Sequence, residues 1–73
     1  MDITKGIREM MLNRNVKSGE VAKSVGYTNQ SYSRMLRNGI NKINVLVSIA
    51  DSMGYDVNIV FRDRTGDNDI IIK

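Results

Sequence analysis

Thr28, Asn29, Gln30 and Ser31 form an unbroken polar run, and Arg34 follows one helical turn after Gln30. The amides of Asn29 and Gln30 can donate and accept a hydrogen bond at once, which suits the edge of an adenine. The guanidinium of Arg34 offers two parallel donors, which suits a guanine. Ser31 and Ser33 are shorter and fit a phosphate oxygen or a single base edge. Such chemistry needs a rigid element behind it. Tyr32, Met35 and Leu36 recur at helical spacing through the same stretch, and Thr28 is a good N-cap, so a helix over residues 28–37 is expected to carry the polar side chains on its open face.

Contacts to a phosphate backbone require positive charge or free donors around that helix. Arg14, Lys17, Ser18, Thr28, Ser31, Ser33, Arg37, Asn38, Asn41 and Lys42 are the candidates, together with the backbone N–H groups that open the preceding helix. The overall charge of +3 is modest, but its distribution is uneven. Residues 1–42 carry eight basic and three acidic side chains, whereas residues 43–73 carry three basic and five acidic ones. The first part can therefore face a polyanion while the last part does something else.

Composition excludes several other classes. The chain of 73 residues has neither cysteine nor histidine, which removes thiol chemistry, disulfides and the usual zinc sites. No activated nucleophile, paired-acid constellation or phosphate-loop glycine spacing is present, so neither catalysis nor a cofactor is expected. Charges interrupt the N-terminal stretch and no apolar run approaches the roughly 18 residues of a membrane span. A reducing, cytoplasmic setting is the expectation.

The elements are set by periodicity. Ile3, Ile7, Met10 and Met11 form one helical stripe behind Asp2 as cap, with the polar Asn13 to Asn15 ending it. Val21, Ala22 and Val25 form a second, closed by Gly26, with Ser18 the expected cap. Tyr32, Met35 and Leu36 make the third; Leu46, Ile49, Ala50 and Met53 make the fourth, stopped by Gly54. Beyond Gly54 the period becomes two, and Val57, Ile59 and Phe61 predict a strand. The turn residues Asp63 to Asn68 and the triplet Ile70 to Ile72 leave two outcomes open, a hairpin or a single strand with a tail. Four helices cannot offer that strand a sheet, so Val57, Ile59 and Phe61 are expected to pair with a second copy across a two-fold axis. Packing of the strand on the helices is the alternative.

The spacing from Ala22 to Gly26 and then to Tyr32 is that of a helix-turn-helix, in which the second helix enters the major groove. Ala22 lets the two helices approach. Val21, Val25, Tyr27, Tyr32 and Met35 are expected to fill the wedge between them.

The segments "EVAKSVGYTNQSYSRML" and "LVSIADSMGYDVNIVF" resemble the lambda-repressor-like, Cro/XRE-type helix-turn-helix family, and the likeness covers about residues 3–61. It implies a mainly α domain of four to five helices over residues 1–54, followed by a dimerising C-terminal strand or hairpin over 55–73. It also implies a sequence-specific DNA-binding protein, usually a dimeric repressor, acting on double-stranded DNA with a palindromic operator. By that resemblance Asn29, Gln30 and Arg34 occupy base-reading positions. The competing expectation is an antitoxin that masks a protein toxin through the acidic segment Asp63 to Lys73 and regulates its own operon.

Overall fold

The computed structural model describes residues 2–73 and shows a mainly helical chain with one small antiparallel sheet. Its elements are α1 (Ile3–Arg14), α2 (Ser18–Ser24), α3 (Asn29–Asn38), α4 (Ile43–Ser52), β1 (Ile59–Phe61) and β2 (Ile70–Ile72).

Local chemistry sets most helix ends. Asp2 caps α1 by accepting the Lys5 N–H at 3.0 Å. Asn15, in the left-handed region at φ 53°, ends it. At the end of α2, the Tyr27 N–H reaches the Ala22 carbonyl at 2.9 Å and the Gly26 N–H reaches Lys23 at 3.3 Å. The end of α4 repeats this closure, with the Tyr55 N–H on Ala50 at 2.9 Å and the Gly54 N–H on Asp51 at 3.0 Å. Both are Schellman closures, and both turn on a glycine near φ +80°, where a Cβ would be strained.

The core forms where the four stripes meet. Ile7, Val21, Ala22, Tyr32, Leu36, Ile49, Ala50 and Met53 are buried, and no polar or charged side chain is buried with them among the described residues. Helix α2 packs on α3, while α1 and α2 both pack on α4. Met10, Met11 and Met35 pack partly buried against this cluster, as flexible side chains filling irregular gaps.

The C-terminal segment forms a hairpin, settling the choice left open by the sequence. Ile59 pairs with Ile72, Val60 with Ile71 and Phe61 with Ile70. The strand begins at Ile59, so Val57 precedes it. The connecting loop is held by carboxylates. Asp63 Oδ1 accepts the Thr65 hydroxyl at 2.7 Å and its N–H at 2.9 Å, while Asp69 Oδ1 accepts the Asp63 N–H at 2.8 Å. The hairpin stretches the molecule to 43 × 23 × 18 Å. Its radius of gyration is 13.7 Å, against about 11 Å for a compact globule of this length. No helix among the described residues is long and apolar enough to cross a membrane.

Candidate nucleic-acid interface

Three contacts hold α3 in place. Thr28 caps it, its Oγ1 accepting the Ser31 N–H at 3.1 Å and donating to the Ser31 hydroxyl at 3.0 Å. Tyr32 is wholly buried, and its hydroxyl donates to Met11 Sδ at 3.4 Å, joining α3 to α1. At the other end, the Thr4 hydroxyl donates to the Leu36 carbonyl at 3.0 Å. Burial also pushes the Tyr32 phenol above its ordinary value, against a smaller opposing pull from the Arg8 charge. The phenol therefore stays a neutral donor inside the core.

With Tyr32 and Leu36 inward and Met35 half-buried, the opposite face of α3 is fixed. Gln30, Arg34 and Arg37 recur at i, i+4 and i+7 along it, and all three are exposed. Arg37, expected beside the backbone contacts, thus joins the same stripe as the expected base readers Gln30 and Arg34. Asn29 and Ser33 are exposed beside this stripe, Asn29 at the start of the helix. No acidic residue occurs between Asn29 and Asn38, so the face carries two guanidinium charges without a local counter-charge on its own helix.

The flanks are built from loops. Asn41 and Lys42 lie before α4, where Lys42 takes the N-cap position without a side-chain capping bond, and both are exposed. Together with Tyr27, Met35 and Gly39 they border a hollow of about 180 Å³ between the α2–α3 turn and the α3–α4 loop. Asn38 and Arg37 close the same end of α3. Thr28 and Ser31 are tied to each other in the cap, which leaves Ser33 as the hydroxyl free of that arrangement.

Three expectations are corrected. Ser18 is the first residue of α2 and not its cap; Lys17 occupies the N-cap position. The Lys17 N–H is taken by the Glu20 carboxylate at 3.3 Å, so that donor at the start of α2 is already satisfied. Tyr27 does not fill the wedge between α2 and α3, because the closure at Gly26 carries it outward to 37% exposure. Arg14 stays exposed and also makes intramolecular contacts: its Nε donates to the Met53 carbonyl at 2.8 Å and its guanidinium lies 4.3 Å from the centre of the Tyr55 ring. Asn13 adds a 3.2 Å bond to the Tyr55 hydroxyl. These contacts pin the end of α1 to the end of α4, which the sequence could not show because the partners lie about forty positions apart.

The arrangement can do one thing chemically without further groups. It presents an amide and two guanidinium groups on a rigid helical face, flanked by short polar side chains and one loop lysine. No protein-family model matches the chain, and no curated protein and no solved structure matches it.

Proposed function

We propose that this chain is a sequence-specific DNA-binding transcriptional regulator with a lambda-repressor-like helix-turn-helix, acting as a homodimeric repressor on a palindromic operator. The observation that carries this reading is the exposed stripe Gln30–Arg34–Arg37 on a helix anchored by the buried Tyr32 and Leu36. In the major groove, Asn29, Gln30 and Arg34 would meet base edges. Ser33, Asn38, Asn41 and Lys42 would meet phosphates on either side. Two copies would place their α3 helices about one DNA turn (~34 Å) apart.

The antitoxin reading relies on the segment from Asp63 to Lys73. That segment already forms a closed loop and β2 within the single chain, which favours the regulator reading. Selection from random oligonucleotides, followed by footprinting, tests the proposal. A palindromic site with two protected half-sites is expected. Gln30→Ala and Arg34→Ala should each remove about 1–3 kcal/mol of discrimination while sparing non-specific affinity. Full discrimination in both variants would exclude α3 as the reader.

A further inference from the structure

All six ladder residues of the hairpin are apolar, and five of them are 50–62% exposed. A two-stranded ribbon of this kind is marginal in water by itself. Its two edges differ. Val57, Asn58, Ile59, Val60 and Phe61 together border a groove of about 380 Å³ shared with Ile3, Ile43 and Leu46. Ile59, Val60 and Phe61 are the successive residues of β1 and point to alternate faces, so a groove touching all three runs along the strand's edge. The outer edge of β1 is therefore turned towards α1 and α4. Among the described residues strand β2 has a neighbour only in β1, and all three of its residues are exposed.

The charges around β2 are arranged for one register. The sequence reads Asp69-Ile70-Ile71-Ile72-Lys73, an acid before and a base after three isoleucines. Antiparallel pairing of two such strands about a two-fold axis at Ile71 sets Ile70 against the partner's Ile72. It also sets Asp69 against the partner's Lys73, at both ends of the seam. Parallel pairing would instead set like charges together; moving the axis to Ile70 would leave Asp69 facing isoleucine, and moving it to Ile72 would leave Lys73 facing isoleucine, so only the axis at Ile71 pairs both charges. Asp69 spends one oxygen on the Asp63 N–H and keeps acceptor capacity on the other. In the single chain Lys73 borders an open hollow with Asp51 and Asp56; the seam gives it an acid directly across the ladder.

We propose that a second copy of this chain pairs with β2 in this register, giving a continuous sheet of order β1-β2-β2-β1. The inference rests on the homodimer of the proposed regulator and moves the seam from Val57, Ile59 and Phe61 to Ile70–Ile72.

Sedimentation of the full chain over a concentration series tests it, with circular dichroism to verify folding. The wild type should be dimeric. Lys73→Glu and Asp69→Lys should each weaken the dimer about tenfold, since each sets like charges at both ends of the seam. An equimolar mixture of the two variants should restore it, because only the mixed pair has opposite charges at both ends. Val60→Lys, on β1, should leave the dimer in place. A dimer indifferent to both charge changes, or one dissociated by Val60→Lys alone, would overturn the β2 seam while leaving the homodimer standing. A wild-type monomer, with and without operator DNA, would overturn both.

Discussion

Gly26-Tyr27 and Gly54-Tyr55 end their helices by the same pair of hydrogen bonds, yet the chain goes on to different fates. After the first turn, Thr28 caps a new helix that drives Tyr32 and Leu36 into the core. After the second, the chain runs extended into a hairpin whose isoleucines stay largely exposed. The two tyrosines diverge as well. Tyr27 stands outside the wedge, while Tyr55 is half-buried under the Arg14 guanidinium. The turn only stops a helix. The course of the chain beyond it depends on whether an apolar surface is waiting, and α1, α2 and α4 supply that surface for α3 but leave most of the hairpin uncovered.

The sharpest way to break this contrast is Tyr32→Ala, which removes a wholly buried side chain and should cost about 3–5 kcal/mol in chemical denaturation. Next come the glycines. Gly26→Ala and Gly54→Ala should each cost about 1–2 kcal/mol, because both sit in the left-handed region with no backbone neighbour in the way of a Cβ. Only the first should also weaken operator binding, since it sets the approach of α3. Arg14→Ala should lower stability by roughly 1 kcal/mol through its lost carbonyl bond and ring contact, leaving the salt dependence of DNA binding unchanged. Lys42→Ala should do the reverse, reducing affinity evenly across sequences and lowering the salt slope by about one. Smallest of all, Ile71→Ala should change the stability of the diluted, monomeric chain by no more than ~0.5 kcal/mol.

Acid and alkali should separate the same two regions. The Thr65 hydroxyl, then the Thr65 N–H, hold the Asp63 carboxyl below its ordinary 3.8. The hairpin loop therefore keeps this support above that pH and loses it as the pH falls through the lowered value. Burial raises the Tyr32 phenol above 10.0, so the helical body keeps its stability below that pH and loses it as the pH rises through the raised value. Circular dichroism against pH should show alkaline unfolding of the helices that is delayed in Tyr32→Phe.

Much of the helical part is legible in the sequence because its signals are local. Asp2 and Thr28 cap helices by bonding the N–H three residues on, and Gly26 and Gly54 close them within one turn. The stripe Tyr32–Met35–Leu36 names the inward face of α3, and its complement names the exposed side chains. Ser18 misleads because a serine at a helix start resembles a cap, whereas the Glu20 carboxylate reaches back to Lys17 one residue earlier. Val57 misleads because alternation alone does not say where a ladder begins.

The sequence alone determined four helices, where they stop, and which face of α3 is polar, since these depend on contacts between near neighbours. Only the tertiary structure decided that Arg14 folds back onto the end of α4, that Tyr27 turns outward, and that Ile70–Ile72 returns to β1 and leaves an open edge. Those outcomes depend on contacts between distant parts of the chain, such as Arg14 with Met53, Thr4 with Leu36 and Phe61 with Ile70. Periodicity registers which side of an element is apolar; it carries no record of which distant surface comes to cover it.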